Sequence, residues 1–423
     1  MPSNDTGLAS VTLRQLLIFT ATVDTGSAGG AARNLGLSQP AVTHALAKLE
    51  ALFANQLLHR GQLGMVPTQA GHILHRRALR LRQQLVAALA QARGQMATSG
   101  DQRHAEAITS TQVACHTAVA EHGAFNLAAR ALGISLPALQ RTARSFEQLV
   151  GVPLYHRLRH VGVTAAGEQL ARGLRVAIIE LAQARDEIDE LMGLGSGRMA
   201  LGCLPLMPKP LLAQMFSAAL AQNPGLTLTL EENSYDQLVR DLRHGRLDLI
   251  FGALRLAGAE DIDETALFDD PYVVVARSGH ALAHRKRPSL AALARCSWVV
   301  APLDTPRRRA LEQLFSKTSS LPHMVLETNS VNMTLASLLG NDFLTITARS
   351  LATGAGSDPA LAILDIPVSD AIRTIGFTMR RGWLPTTAQA NFISCIQQAG
   401  SGGGGSRRPP SERSLLHAPK KRE

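Results

Sequence analysis

Apolar and polar positions in the first fifty residues alternate at the spacing of short helices. Between Leu13 and Thr20 the apolar positions recur every three or four residues, which predicts a first helix with a mainly apolar face. Gly26 ends this helix, and Ser27 can cap a second, short helix that runs to about Leu35. The pattern therefore predicts two helices in close succession.

A third helix is predicted directly after the second. Gly36 supplies a turn, Ser38 is a favourable N-cap, and Pro40 falls in the first turn, where its missing N–H does no harm. The inward positions are Ala41, Val42, Ala45, Leu46 and Leu49, and the outward ones are Gln39, Thr43, His44 and Lys48. Two helices joined by a short glycine-containing turn form a helix-turn-helix, whose second helix can enter a DNA major groove. Small helical cores share this periodicity, so the pattern alone leaves both interpretations open.

A stretch of thirty residues recurs later in the chain. Residues 31–60 and 128–157 are identical at thirteen of thirty positions, at a constant offset of 97. One deletion later the match continues, with residues 68–71 against residues 164–167. Chance is a poor explanation of such a match, and we therefore expect the chain to contain the same small domain twice.

Each copy is followed by a long helical stretch without proline, at residues 69–98 and 166–192. The second stretch carries apolar positions at heptad-like spacing, namely Leu174, Ile178, Leu181, Ile188 and Leu191. A long helix with one apolar stripe buries it against a partner helix. The partner can come from a second chain, which would make this a dimerisation helix, or from the same chain.

From residue 197 onwards the pattern changes from helical to mixed. Short strands are predicted at residues 199–204, 226–230, 247–251, 272–276 and 298–301. Helices are predicted between them at residues 210–222 and 235–244. This alternation predicts an α/β sheet, and such sheets commonly form a ligand crevice at the carboxyl ends of their strands.

The length of the chain indicates several domains, and its charge is unevenly distributed among them. The 423 residues are 45% apolar and 18% charged, which is typical of a globular chain of several domains. Of the net charge of +10, residues 1–100 contribute +6 and residues 401–423 contribute +4, while residues 101–400 are balanced. A basic first domain favours a nucleic-acid partner. The alternative is that Arg76, Arg77, Arg80 and Arg82 merely solvate one helix.

Other functional classes find little support. Cys115, Cys203, Cys296 and Cys395 are widely separated, so neither a disulfide framework nor a zinc site is indicated. The chain has no P-loop, no dinucleotide-binding glycine signature and no nucleophile elbow, and we expect neither an enzyme nor a cofactor or metal. The polar first ten residues and the lack of a long apolar stretch lead us to expect a cytoplasmic protein. The Gly-rich and basic residues 399–423 predict a flexible tail, which is solvated or touches DNA non-specifically.

The sequence TGSAGGAARNLGLSQPAVTHALAKLEALFANQLLHR followed by VPTQAG resembles the winged helix-turn-helix of LysR-type transcriptional regulators. The resemblance covers residues 11–71. It implies that the third helix, beginning at Ser38, lies in the DNA groove and that residues 60–67 form the wing. The sequence has His44 where arginine is common in the family, and Leu63-Gly64 where basic wing residues are usual. The expected DNA-contacting residues of this copy are Ser27, Arg33, Ser38, Gln39, Pro40, Thr43, His44, Lys48 and Arg60.

The second copy keeps some of these residues and changes others. Ser135, Arg141 and Arg144 preserve a recognition helix, and Arg157 preserves a basic wing. Leu136, however, stands where the first copy has Gln39, and residues 101–192 carry a net charge of −1. Two interpretations stay open, a second DNA-binding domain or a duplicated domain kept as a spacer or protein-contact module.

The segments RHGRLDLIFGAL, PYVVVARSGHALA and CSWVVAPLDTPRRRALEQLF resemble the effector domain of the same family, a two-lobed periplasmic-binding-protein-like fold. The resemblance implies a ligand between the lobes. The residues expected there are Pro205, Leu206, Asn233, Ser234, Thr305, Asn329, Ser330 and Thr345. Ordinary helix capping explains several of these hydroxyl side chains equally well. Residues 307–309, three arginines, either attract an anionic effector or form a solvated helix face.

The sequence thus predicts an α/β multidomain protein, with winged domains at residues 11–68 and 106–165, linker helices at 69–98 and 166–192, and an effector domain at 197–398. The expected function is a DNA-binding transcriptional regulator controlled by a small-molecule effector. We expect a homodimer or homotetramer on a double-stranded, inverted-repeat operator, with contact to RNA polymerase as a further possibility. A transport binding protein would share the two-lobed domain but would not carry winged domains in front of it.

Overall fold

The computed structural model describes residues 11–61, 64–156, 162–195, 197–255, 259–303, 305–318, 321–353, 359–368 and 372–402. The first copy of the repeat is three helices, a hairpin and a long linker helix. Its elements are α1 (Leu13–Thr25), α2 (Ala28–Leu35), α3 (Gln39–Phe53), β1 (Leu58–Gly61), β2 (Gly64–Pro67) and α4 (Gln69–Ala92). The hairpin pairs Leu58 with Pro67 and Gly61 with Gly64, and forms the predicted wing.

Local signals account for the bounds of these helices. The Ser27 and Ser38 hydroxyls accept the N–H groups of Gly30 and Ala41, at 3.0 and 3.4 Å, at the starts of α2 and α3. Gly36, with a φ of +63°, ends α2 in the left-handed conformation that favours glycine.

One inward position of α3 was predicted wrongly. Val42, Leu46 and Leu49 are buried as expected, but Ala41 is exposed. Ala41 precedes His44 by three positions, so it lies on the outward face of the helix rather than on the buried face.

The second copy repeats the first almost residue for residue. After the short α5 (Ser99–Ala107) come α6 (Ser110–His122), α7 (Phe125–Leu132) and α8 (Leu136–Val150), each starting and ending 97 residues after its counterpart. The linker helix α9 (Ala165–Leu191) starts 96 residues after α4. Glu50 Oε1 accepts the N–H of Leu57 at 2.9 Å, and Glu147 Oε1 accepts the N–H of Leu154 at 2.7 Å. These equal bounds and contacts confirm that the three-helix unit and its linker helix are duplicated.

The two linker helices pack against each other within the chain. Their contacts run antiparallel, from Arg77 against Glu187 at one end to Ala88 against Gly173 at the other. Leu174 and Ile188 of the predicted stripe are buried in this interface, whereas Leu191, the last residue of α9, is exposed. The stripe therefore needs no second chain to bury it. One hydrophobic core extends through both winged domains and both linker helices.

The last two hundred residues form two lobes, each built on a five-stranded sheet. The elements are β3 (Gly197–Cys203), α10 (Lys209–Gln222), β4 (Leu226–Glu232), α11 (Tyr235–Arg243), β5 (Leu249–Ala253), β6 (Ile262–Asp269), β7 (Tyr272–Arg277), α12 (Leu290–Ala294), β8 (Ser297–Val300), α13 (Pro306–Leu314), β9 (His323–Glu327), α14 (Val331–Gly340), β10 (Phe343–Ala348), α15 (Arg349–Thr353), β11 (Leu361–Ile363), β12 (Thr374–Arg380) and α16 (Thr387–Gly402). Lobe I has the strand order β4-β3-β5-β12-β6, and lobe II has the order β11-β7-β10-β8-β9.

The chain crosses between the lobes twice, after β6 and before β12. Separate cores hold the lobes, with Phe251 and Phe377 in lobe I and Trp298 and Phe315 in lobe II. All five predicted strands are present, displaced by at most two residues, and the α/β multidomain fold is confirmed. Within the described ranges no helix is both long and apolar enough to span a membrane.

Candidate nucleic-acid interface and ligand cleft

The outward face of α3 carries the side chains expected to meet DNA. Gln39, Pro40, His44 and Lys48 are exposed. Thr43 is half-buried, and its hydroxyl donates to the Gln39 carbonyl oxygen at 3.1 Å. The first two turns of α3 thus present one amide, one imidazole and small groups, which suit base edges.

Other predicted residues surround this helix. Ser27 and Ser38 serve as N-caps, as described above. An added Cβ on Gly29 would lie 3.8 Å from Gln39 Oε1 and 4.0 Å from Arg33 Nη1, so the ends of these two side chains lie close together beside Gly29. Arg60 is exposed on the wing strand β1. Leu63 lies outside the described residues.

Part of the positive charge of the first hundred residues lies in the contact between the linker helices. Arg77 is only 1% exposed and donates to Glu180 at 2.8 Å and to Glu187. Arg76 and Arg80 pair with the same two carboxylates. The interpretation of these arginines as one solvated helix face is wrong for Arg77, because the acidic side chains of α9 draw it into the interface between the linker helices.

The second copy presents a different outward face on α8. Ser135 caps the helix by accepting the Ala138 N–H at 3.4 Å, and Arg141 and Arg144 are exposed. Leu136 is 38% exposed at the position equivalent to Gln39. Arg157, predicted for the wing, lies outside the described residues. The described part of this copy therefore combines two exposed arginines with an exposed apolar side chain.

The core of the second copy also differs from that of the first. His116, which replaces Phe19, is fully buried, and its Nε2 donates to the Gly167 carbonyl oxygen at 2.9 Å. Its Nδ1 accepts the Tyr155 hydroxyl at 2.9 Å. Burial lowers the pKa of His116 to about 4, with a smaller contribution from the charge of Arg175 and an opposing one from the Gly167 hydrogen bond. The imidazole is neutral at pH 7.

The residues predicted for the effector site lie along strand ends of both lobes. Pro205-Leu206 follows β3, and Asn233-Ser234 follows β4, which runs parallel to β3. Parallel strands end at the same sheet edge, so these residues lie together. In lobe II, Thr305 follows β8 and Asn329-Ser330 follows the parallel strand β9. Leu206 extends from lobe I to the core of lobe II.

Hydroxyl groups in this set already have partners. Ser234, Thr305 and Ser330 cap α11, α13 and α14. Thr345 is 1% exposed and donates to the Val299 carbonyl oxygen at 2.8 Å. Thr345 lies inside β10 rather than at its end, which removes it from the candidate site.

Two of the three consecutive arginines are buried, contrary to the solvated helix face considered from the sequence. Arg308 pairs with Glu312 at 2.9 Å and Glu327 at 3.2 Å. Arg307 is 6% exposed and donates to the Thr328 carbonyl oxygen at 3.1 Å. They are buried because α13 lies on the lobe II sheet and turns its first residues towards the ends of β8 and β9.

Sequence analysis missed three residues that cluster with Arg307. Burial lowers the pKa of Arg307, and so does the nearby charge of Arg373, while Tyr272 has the opposite effect. Arg255, which follows β5 in lobe I, also interacts electrostatically with Tyr272 and Arg373. Arg373 lies over the Tyr272 ring, with its Cζ 5.1 Å from the ring centroid, and Arg255 and Arg307 interact electrostatically with both residues. No short motif signals this cluster, because its members lie far apart in sequence.

The crossover segments hold one carboxylate in this cluster. Asp270 pairs with Arg373 at 2.7 Å, and both side chains are buried. The hydroxyl of Ser350 also donates to Asp270, at 2.6 Å. Asp270 is thus fully engaged within the crossover. Within the described ranges, no group of three or more His, Cys, Asp or Glu side chains is arranged to hold a metal ion.

Lobe I rests directly on the paired linker helices. Arg77 Nη1 donates to the Leu384 carbonyl oxygen at 2.9 Å, and Arg80 Nη2 donates to that of Gly382 at 2.6 Å. Both acceptors lie between β12 and α16. Lobe I and the linker helices are therefore in contact through the same arginines that join the two linker helices.

Comparison with known proteins matches both halves of the chain. The family model "Bacterial regulatory helix-turn-helix protein, lysR family" matches residues 13–72 and again 111–168, and "LysR substrate binding domain" matches residues 193–401. The chain is 29% identical over 393 residues to the HTH-type transcriptional regulator GalR of Pseudomonas putida, covering 91% of this chain and 96% of that relative. It is 28% identical over 239 residues to the HTH-type transcriptional regulator GbpR of Azospirillum brasilense, covering 56% and 70%. Full-length OxyR from Pseudomonas aeruginosa has a TM-score of 0.49 and 18% identity, covering 69% of this chain and 93% of that structure.

Proposed function

Because the chain belongs to the LysR-type transcriptional regulators, we propose that α3 reads the operator and that an anionic effector between the lobes controls binding. In this proposal Gln39, Thr43 and His44 contact base edges. The residues assigned to the DNA backbone are Ser27, Arg33, Ser38, Pro40, Lys48 and Arg60. Their exposure around one helix and one wing supports the assignment, since backbone contacts fix orientation and base contacts give specificity.

The effector is proposed to be an anion, a carboxylate or phosphate ester. The observation that carries this is the arginine cluster, in which Arg255 and Arg307 both interact electrostatically with Arg373. Asp270 pairs with Arg373, and Asp236 acts on Arg255. A buried arginine next to another arginine gains from an anion, which neutralises both and accepts their hydrogen bonds. The residues proposed to contact the effector at the rim of the cleft are Pro205, Leu206, Asn233, Ser234, Thr305, Asn329 and Ser330.

Control of DNA binding is proposed to follow from a change in the lobe arrangement. An effector shifts an equilibrium only by its differential affinity for the two states. Lobe I contacts Arg77 and Arg80 of the first linker helix, so a lobe movement alters the support of the winged domains. Operator affinity, or the bending of the DNA, would then depend on the effector.

Further copies of the chain are proposed to assemble through the effector domain, as a homodimer or homotetramer in the cytoplasm. The linker helices are already paired within the chain, so they offer no free stripe. Exposed apolar side chains on the effector domain include Leu230, Val325, Met333 and Leu339. We also propose that the assembled regulator contacts RNA polymerase.

The test is a ligand screen with a matched arginine variant. A panel of carboxylates and phosphate esters, each paired with a neutral amide or alcohol, is scored by the melting temperature of the full chain. We expect charged members alone to raise it, and Arg307→Gln to remove the effect. Arg295→Gln, an exposed arginine of lobe II, is the control and should respond like the parent. Equal responses to charged and neutral members, or an unchanged response in Arg307→Gln, would refute the anion site.

A further inference from the structure

Equivalent residues of the two copies meet each other in the chain. The Leu13 N–H donates to Ser110 Oγ at 3.1 Å, and these positions are 97 residues apart, the offset of the repeat. In the linker helices, Gln84 Nε2 donates to Glu180 Oε1 at 2.9 Å, and these positions are 96 residues apart, the offset of α4 and α9. A residue meets its own counterpart only on a two-fold axis. The two copies are therefore related by an approximate two-fold axis within one chain.

Each linker helix also supports the recognition helix of the other copy. Arg93, at the end of α4, donates to the Val150 carbonyl oxygen at 2.7 Å and to that of Leu149 at 3.3 Å, at the end of α8. Arg185 of α9 donates to the Leu52 carbonyl oxygen at 2.8 Å, at the end of α3. Leu52 and Leu149 are equivalent positions, so the same place at the end of each recognition helix is held by an arginine of the other copy's linker helix. The recognition helices are thus fixed relative to each other.

The charges of the linker helices favour this pairing over pairing of like helices. Helix α4 carries four arginines and no acidic residue, whereas α9 carries six acidic residues and three arginines. In the pair, Arg77 meets Glu180 and Glu187. Its counterpart in α9 is Gly173, where an added Cβ would lie 2.4 Å from Ala88 Cβ. Arg77 of α4 is thus complementary in charge to the carboxylates of α9, and Gly173 of α9 leaves room for Ala88 of α4.

Pairing of like helices from two chains would lose this complementarity. Two α4 helices would bury Arg77 against Gln84, the counterpart of Glu180, with no carboxylate in reach. Two α9 helices would bring Glu180 against another Glu180. An uncompensated buried charge costs several kcal/mol in general. The sequence of the two linker helices therefore specifies a pair made of one α4 and one α9.

The two recognition helices held by this pair have different chemistry. The Gln39 amide can bond to adenine in two places, whereas Leu136 at the same position can contact only an apolar group such as the thymine methyl. His44 is replaced by Arg141, the side chain that binds guanine through two hydrogen bonds. Leu127 and Ile134, 46% and 37% exposed, add to the apolar character around the start of α8.

We propose that one chain presents both winged domains to DNA as a fused, unequal pair, so that its operator consists of two different half-sites. The proposal rests on the DNA-binding function proposed above and extends it to the second copy. The inverted repeat expected from the sequence is replaced by two unlike halves, since the two domains sharing the axis are not identical.

The first test is selection of bound sites from a random pool of double-stranded DNA by the full chain. We expect one motif with two unlike halves. Gln39→Ala should make one half degenerate, and Arg141→Ala the other, each lowering affinity for the selected site at least about tenfold. All these side chains are exposed, so the variants fold. Glu121→Gln, at an exposed site of the second copy away from α8, is the matched control and should select the parent motif.

The outcomes separate this inference from the regulator function. A palindromic motif that Arg141→Ala leaves unchanged would overturn the inference and make the second copy a spacer or protein-contact domain. Failure of the parent chain to enrich any motif would instead count against operator recognition itself.

A mixing experiment tests whether both domains come from one chain. Chains with Gln39→Ala and chains with Arg141→Ala are combined and titrated against the selected site. We expect the mixture to bind as weakly as either variant alone, because neither chain has two intact domains. Recovery of binding in the mixture would show that two chains each contribute one domain, which contradicts the proposal.

Discussion

One pair of residues gives the cores of the two winged domains different sensitivity to acid. His116 is buried and neutral, with both ring nitrogens engaged, at the position where the first copy has Phe19. Tyr155, its partner, stands where the first copy has Leu58. A hydrogen-bonded pair thus replaces a purely apolar contact at the same place in the fold.

This pair predicts a loss of stability in acid. The pKa of His116 falls from 6.5 to about 4 on folding, mainly because burial disfavours the charged ring. The folded state then binds fewer protons, so its stabilisation is complete above pH 6.5 and is lost as the pH falls towards 4, by about 1.4 kcal/mol per pH unit. Urea unfolding at several pH values measures this. The double variant His116→Phe, Tyr155→Leu, which copies the first domain, should have a flatter profile. Since the pKa of His244 is also lowered to about 4 in both proteins, only the difference between them is diagnostic, and equal slopes would contradict the prediction.

At the DNA surface, Gln39→Ala should weaken binding to the cognate site by roughly 1–3 kcal/mol and leave binding to random DNA nearly unchanged. The reason is that the exposed Gln39 amide is assigned to a base edge, which random DNA does not offer in the same place. Lys48→Ala serves as the comparison, because loss of a backbone contact should weaken both kinds of DNA alike. Fluorescence anisotropy with the two duplexes measures the difference. If Gln39→Ala behaved like Lys48→Ala, Gln39 would be a backbone contact or a structural residue.

At the scale of elements, the base of each wing depends on a glycine in the first turn of the linker helix. A Cβ on Gly71 would lie 2.0 Å from the Leu57 carbonyl oxygen, and one on Gly167 would lie 2.3 Å from that of Leu154. Both contacts are with backbone, which cannot swing away. Both copies have this glycine because the linker helix touches the backbone that leads into the wing there.

Gly71→Ala should therefore destabilise the first winged domain by about 1–3 kcal/mol or more, since backbone must move to admit the methyl group. Gly61→Ala is the matched control, as none of the described atoms lies within 4 Å of its added Cβ. Urea unfolding of both variants gives the comparison. Equal stability of the two variants would show that the wing base is more plastic than its geometry indicates.

Elements whose signals are local could be predicted, and those whose partners are distant could not. Helix α3 follows from Ser38, Pro40 and its spacing of apolar residues, all within fifteen residues. Strand β12 was not predicted, because it forms between β5 and β6, more than a hundred residues earlier in the chain. The same holds for the candidate site. The capping hydroxyls were found, but the cluster of Arg255, Arg307 and Arg373 depends on the packing of two lobes.

At the scale of the molecule, the two winged domains and the linker helices form one structural unit with a common core. That core extends from Phe19 through Leu89 and Leu174 to Phe146, while each lobe has a core of its own. Shared burial couples the stability of both copies. A disturbance in one winged domain should therefore reach the other without passing through the lobes.

Leu139→Ala, at a fully buried position of α8, should cost about 2–5 kcal/mol and lower the hydrogen-exchange protection of α3 as well as α8. Leu293→Ala, equally buried in lobe II, is the control and should leave α3 unchanged. Hydrogen exchange followed by mass spectrometry resolves these segments. Loss of protection confined to α8 would mean that the copies unfold independently.

The covalent connection between α4 and α9 also sets how operator occupancy depends on the amount of protein in the cell. When a recognition unit is assembled from two separate chains, the concentration of the pair falls with the square of the chain concentration once the pair dissociates. A pair joined in one chain keeps its partner at a fixed effective concentration at any dilution. With the two unlike half-sites proposed above, occupancy by this protein should therefore decline only in proportion to its concentration.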